Sequence, residues 1–413
     1  MKNSKRFYLL LILGLLTAIG PFSIDMYLPA FPDIAVGLDT TVSRVMLSLS
    51  SFFIGISVGQ FIYGPLLERY GRKFPLYIGL SIYFLASLAC AVANSADALI
   101  AFRFLQAIGG CAGMVAARAI VRDLFEVHEN AKIFSTLMLV VAVSPIIAPT
   151  VGGYVTAAFG WRWVFVALML ISLIVLAGVY FFLPESKQPD PDYSLRPTAI
   201  LNSFWTIFKL PQFYTYAFTA AVAYGGLTAY ISGSPYVFME VFKVTEKQYG
   251  WIFAAIAIGI ISASQLNKIV LRTRSSERIV RTALSIQSVI GVLFAVTAMA
   301  AYQDVYFTML MVFLFLCCQG FIFPNASALC MAPFSRNAGT ASALMGGIQM
   351  AVGASASAMV SMLHSRTIFP MSGVMASCSL LALSILFIGR RIITVRAKNK
   401  LVDEEDVEMV STL

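Results

Sequence analysis

Residues 17–32 read TAIGPFSIDMYLPAFP, and within them the carboxylate of Asp25 stands near the end of an apolar run that begins at Phe7. A charged side chain inside a membrane-length helix costs several kcal/mol unless it finds a partner, a water-filled cavity or a proton. Such an acid either caps and bridges helices or marks a transport path. Which of these holds depends on whether the surrounding chain is built to cross a membrane.

Composition says that it is. Of 413 residues 59% are hydrophobic and 12% charged, with a mean hydropathy of +0.83, whereas soluble domains carry roughly 25% charged residues. A helix needs about 20 apolar residues to cross the hydrocarbon core. Twelve such segments fall at 7–30, 45–66, 74–94, 98–121, 133–157, 162–184, 213–238, 248–270, 280–301, 305–329, 338–362 and 369–390. The expected fold class is therefore an all-α membrane protein with twelve transmembrane helices. The lysine-bearing N-terminus before the first run imitates a secretory signal, but the run exceeds twenty residues and lacks a clear small-residue cleavage site, so it is expected to stay attached.

Charge sets the orientation. Of 29 Lys and Arg, only Arg44, Arg162, Lys243, Lys247 and Arg366 fall in one set of loops and Arg103 in a span, leaving 23 on the side of both termini. By the positive-inside rule both termini are cytoplasmic. The net charge of +9 is thus explained by topology, and a nucleic-acid partner is excluded. The six cysteines lie in apolar runs with no metal-ligand spacing and read as packing residues. No cofactor is expected.

The longest connection, PESKQPDPDYSLRP and its flanks, divides the spans six and six. The expected organisation is a first six-helix half at 1–184, a cytoplasmic linker at 185–212, a second six-helix half at 213–391 and a tail at 392–413, whose DEEDVE run (Asp403–Glu408) reads as a solvated end. Two equal halves suggest a parallel repeat flanking a central cavity.

Depth suggests a partner for Asp25. It lies about four residues before the end of the first span and Arg103 about five after the start of the fourth, both roughly 6 to 8 Å from the outer edge at 1.5 Å per residue. A neighbouring guanidinium favours a carboxylate and apolar burial favours the protonated acid. Movement or a cationic substrate would then switch Asp25 between proton uptake and release. A permanent structural pair is the other reading.

Further along, Gly64 to Lys73 reads GPLLERYGRK. This resembles the G-x-x-x-D-R-x-G-R-K loop of the major facilitator superfamily, with Glu68 where Asp is usual. The resemblance implies a conformational latch of Gly64, Glu68, Arg69, Gly71, Arg72 and Asp123, with the acid facing the start of the eleventh helix and the arginines paired to Asp123. RFLQAIGG at Arg103–Gly110 resembles the R-x-x-Q-G segment of proton-coupled members, and APTVGG at Ala148–Gly153 resembles the G-P-x-x-G-G antiporter motif. There Pro145 and Pro149 remove backbone donors while Gly152 and Gly153 permit close helix contact.

With SIDMYLPAFPDI, ARAIVRDL and AGTASAL, the chain is similar to the Bcr/CflA branch of drug:proton antiporters. The resemblance implies a multi-pass exporter of the bacterial inner membrane, acting as a monomer among membrane lipids and moving small drugs against protons. Polar candidates for the substrate wall are Tyr224, Tyr230, Gln319, Asn325 and Gln349. A proton-coupled carrier of a metabolite such as a nucleoside, sugar or peptide is the alternative. An enzyme is disfavoured, since neither H-E-x-x-H nor a phosphate loop occurs.

Overall fold

The computed structural model describes residues 3–125, 127–191, 193, 195–300, 304–334, 338–363 and 367–411; His364, Arg336 and Arg366 lie outside them. Every described element is helical: α1 (Asn3–Asp25), a 3₁₀ turn (Leu28–Ala30), α2 (Phe31–Gly37), α3 (Val42–Tyr70), α4 (Lys73–Ala91), α5 (Ala96–Leu124), α6 (Val127–Phe159), α7 (Arg162–Phe182), α8 (Pro197–Phe208), α9 (Pro211–Pro235), a π turn (Tyr236–Val241), α10 (Glu246–Val270), α11 (Ser276–Met299), α12 (Val305–Met331), α13 (Ala338–Met362) and α14 (Phe369–Ser411).

Eleven of these segments are long and apolar enough to cross a membrane. The twelfth span is α9, 25 residues long. Its low apolarity has a packing cause: Thr215, Thr219, Thr228, Tyr230, Ser232 and Ser234 are all buried, so this helix turns its polar groups towards protein rather than lipid. A helix surrounded by other helices need not be apolar all round.

Four spans begin at one end of the bundle with a side-chain cap. Thr41 accepts from the Arg44 N–H, Ser95 from Ala98, Thr245 from Gln248 and Asp304 from Phe307, each satisfying a donor that the first turn leaves over. We call this the capped end; the opposite end carries the charge-rich turns and is the basic end.

Two differences from expectation concern helix ends. The first span is not continuous to residue 30 but breaks after Asp25. The last does not give way to a loose tail, because α14 runs as one 43-residue helix to Ser411, about 65 Å at 1.5 Å per residue, and so continues well past the membrane.

The six spans before the long connection and the six after it pack face to face along α3 with α13 and α6 with α10. Ser50 Oγ meets Ser357 Oγ at 2.8 Å and Ser57 Oγ donates to the Gly347 carbonyl at 2.8 Å. Both groups of six break their first span at the capped end, α1 after Asp25 and α9 in the π turn after Pro235.

Candidate functional site

The site is built on the break in α1. The carbonyl of Asp25 would take the N–H of residue 29 in a continuing helix, but Pro29 has none, and Pro32 likewise offers none to Leu28. The chain therefore leaves α1 through a 3₁₀ turn into α2. One carbonyl left over at this end, that of Ser23, accepts from Arg103 Nη2 at 2.9 Å.

Arg103 is 0% exposed. Nη1 donates to Gln106 Oε1 at 2.6 Å, and the guanidinium lies 4.1 Å from the ring centroid of Phe52 and 4.5 Å from that of Tyr27. Gln106 Nε2 donates to Ser87 Oγ at 2.7 Å, Ser87 Oγ donates to the Tyr83 carbonyl, and the Tyr83 and Ser23 hydroxyls share a hydrogen bond of 2.6 Å. A closed ring of polar groups thus holds a buried cation with aromatic faces and carbonyl dipoles in place of a carboxylate.

Arg103 and Asp25 form no ion pair among the described residues: Arg103 binds two residues away, at the Ser23 carbonyl. Asp25 is 4% exposed and makes no hydrogen bond or ion pair among the described residues. The 3₁₀ turn that follows it packs against α9 and α10 in the other group of spans, the helices that carry Tyr224, Tyr230 and Tyr249. The expected pairing is not made because the guanidinium is taken up by the Ser23 carbonyl, Gln106 and the rings of Phe52 and Tyr27.

The substrate-wall candidates separate accordingly. Tyr230 stacks on Phe253 with ring centroids 5.4 Å apart, and its buried hydroxyl meets no hydrogen-bond criterion among the described residues. Tyr224 lies against Gly353 on α13, and Gln349, buried one turn earlier on that helix, shares its face. Gln319 and Asn325 are engaged elsewhere. Gln319 Oε1 accepts from Gln287 Nε2 at 3.4 Å, and Asn325 Nδ2 donates to Asn267 Oδ1 at 2.7 Å, so both tie helices within the last six spans. Tyr249, whose hydroxyl meets Ser234 Oγ at 2.8 Å, escaped the sequence reading because a single tyrosine beside a span start looks like an interfacial anchor.

The APTVGG glycines sit against this same break. A Cβ on Gly152 would collide with the Met26 carbonyl oxygen, and one on Gly153 would lie 2.6 Å from the Glu246 carbonyl oxygen of α10. The motif therefore joins α6 to the residue after Asp25 on one side and to α10 on the other. Pro145 and Pro149 lie one turn apart within α6, freeing backbone acceptors along that helix.

At the basic end the residues expected to form a latch come together, with partners that local patterns could not show. Gly71 turns the chain with φ 79°, a conformation suited to glycine. Arg72, 3% exposed, donates from Nε to Asp123 Oδ2 at 2.7 Å and from Nη2 to Asp123 Oδ1 at 3.2 Å, while Nη1 reaches Glu68 Oε1 at 3.1 Å and the Leu67 carbonyl at 2.8 Å. Burial alone would push the Arg72 guanidinium down; Asp123 and Glu68 reverse this and hold it above its usual range. Glu68 also pairs with Lys187.

The connection after α7 is seated on this cluster. Glu185 accepts from the backbone N–H groups of Arg72 and Lys73 at 2.7 and 3.0 Å, capping the start of α4, and Arg69 Nη1 donates to the Tyr193 carbonyl at 3.1 Å. Glu68 faces the first turn of α13, at Gly339 and Thr340, across a cavity of about 330 Å³. Beside Gly64 there is open space.

Replacing Arg72 with Lys loses the bidentate fork and is expected to destabilise the purified protein by about 2 kcal/mol. Glu68→Asp trims a carboxylate that is 34% exposed and should cost under about 1 kcal/mol. Melting curves in detergent read both.

Twelve spans in two groups, a buried acid at a broken helix and a charged turn between the second and third spans define a multi-pass membrane transporter. The sequence matches the model of the Major Facilitator Superfamily over residues 13–358, and the chain belongs to that family. It is 32% identical to the bicyclomycin resistance protein homolog of Haemophilus influenzae over 91% of this chain and 94% of that one. It is 31% identical to multidrug resistance protein D of Escherichia coli, covering 84% of this chain and 87% of the other. A solved bacterial homolog of the human lysosomal transporter Spinster, inward-facing and occupied, superimposes with a TM-score of 0.72 over 95% of this chain and 98% of its own, at 15% identity. The relatives place the chain with the Bcr/CflA branch, and it is a transporter rather than an enzyme.

Proposed function

We propose that the chain exports small drugs across the bacterial inner membrane in exchange for protons, as a single unit with both termini in the cytoplasm. The observation that carries this reading is Asp25: a buried carboxylate with no hydrogen bond or ion pair among the described residues, at a helix break whose following turn packs against α9 and α10 of the opposite half. A proton and a substrate drawn to one acid compete for it, and that competition is what couples their movements.

In this reading the halves 1–184 and 213–391 rock about the linker 185–212, alternating access to a site walled by Tyr224, Tyr230 and Gln349. Arg103 is a positioning residue that fixes the broken end of α1. The glycines at 152 and 153 form the pivot contact, and Glu68, Arg69, Arg72 and Asp123 latch the cytoplasmic side. The drug class rests on the resistance proteins among the relatives.

Purified protein in proteoliposomes, screened against antibiotics and against nucleosides, sugars and peptides with and without an imposed pH gradient, tests it. Gradient-dependent uphill movement of at least one drug is expected. Movement confined to metabolites, or indifferent to the gradient, contradicts it.

A further inference from the structure

Between α11 and α12 runs a groove of about 750 Å³ that takes no part in the transport site. At its basic end it is lined by Arg274, Arg278 and Arg281, and deeper in by Thr282, Ile286 and Ile290. Arg278, Thr282, Ile286 and Ile290 recur every four residues and so form one stripe of α11, which Arg274 extends into the preceding turn. Leu314, Cys317 and Phe321 of α12 make the facing wall.

The side chains of the three arginines make no ion pair or hydrogen bond among the described residues. Glu277, the acid on their own segment, is held by Arg390 at 2.8 Å. Among the described residues the groove thus has an unpaired positive mouth and an apolar floor. From Thr282 to Ile290 the floor is about 12 Å long at 1.5 Å per residue, close to one leaflet's share of a hydrocarbon core about 30 Å thick. Packed against α12 and α14, α11 turns the exposed Ile286 and Val289 outward, so the groove opens to the bilayer rather than to the cleft between halves.

We propose that this groove is a binding site for an anionic phospholipid, its phosphate held by Arg274, Arg278 and Arg281 and one acyl chain lying along Ile286, Ile290 and Phe321. Basic pockets between transmembrane helices suit such headgroups because charge and apolar area are offered at the spacing at which the lipid carries them. The site lies outside the transport path, so binding is indifferent to substrate.

The test is lipid retention by the full-length purified protein, measured by mass spectrometry after exchange into detergent with phosphatidylglycerol or phosphatidylcholine. Selective retention of phosphatidylglycerol is expected. It should fall roughly 100-fold in Arg274→Gln/Arg278→Gln/Arg281→Gln, on the basis of about fivefold per cation, and be unchanged in Arg391→Gln/Arg396→Gln, which removes basic charge elsewhere. Cys317→Trp, which fills the floor and leaves the arginines, should also lose the lipid, with an unshifted melting temperature confirming the fold. Equal retention of both lipids, or retention in the triple variant, overturns the proposal. So does full displacement of the lipid by millimolar inorganic phosphate, which would make the ligand a free anion.

Discussion

In proteoliposomes bearing a pH gradient, Asp25→Asn is expected to abolish uphill drug movement while leaving a folded protein that still equilibrates substrate. The substitution keeps the shape of the side chain and removes its proton. One proton moving down 100 mV releases about 2.3 kcal/mol, enough for roughly a 50-fold gradient of a neutral substrate at a factor of ten per 1.4 kcal/mol, and the variant should forfeit all of it. Asp25 has no bonded partner among the described residues, so its amide replacement strands no buried cation. The loss therefore separates coupling from stability. Uphill accumulation at the normal rate in Asp25→Asn would remove this residue from the coupling step.

Gly152→Val should be nearly as damaging by a different route. There is no room for a Cβ beside the Met26 carbonyl oxygen, and the obstructing atom belongs to backbone, which cannot rotate away. Overpacking of this kind costs about 1–3 kcal/mol. Here the strain falls on the residue following Asp25 and on the contact between α6 and α10, so transport should fall at least about tenfold even where the purified protein melts within a few degrees of the parent. Gly160, with open space beside it but a φ of 87°, offers a control at Gly160→Asn, since asparagine tolerates that conformation. Equal transport by Gly152→Val and the parent would show that the contact can give way without consequence.

Much of this architecture is legible in the residues because membrane spans are chosen by length and apolarity, and twelve runs of about the right length leave little freedom. The helix that sequence and hydropathy describe least well, α9, is the one whose Thr, Ser and Tyr side chains are buried, and for that reason its polarity carries information about the interior. Asp25 stood out since a lone acid in an apolar run has no cheap explanation. Its surroundings were not readable. Arg103 takes the Ser23 carbonyl, and a main-chain acceptor at the end of a helix leaves no mark in the pattern of side chains.

The latch shows the same limit. GPLLERYGRK announces a tight charged turn, but the partners of Arg72, Glu68 and Gly71 include Glu185 and Lys187, more than a hundred residues away. No local pattern marks them, and the stretch that carries them looked like a plain linker. Likewise Gln319 and Asn325 were legible as buried polar residues, though not as residues that bond to Gln287 and Asn267 rather than to a substrate.

The central claim is that substrate and proton compete for Asp25. It is tested most directly by adding a transported drug to the purified protein in weakly buffered detergent solution and recording the pH. Release of about one proton per bound drug is expected from the parent and none from Asp25→Asn, with drug binding itself verified in both by equilibrium dialysis. Binding without proton release from the parent, or equal release from the variant, would contradict the account.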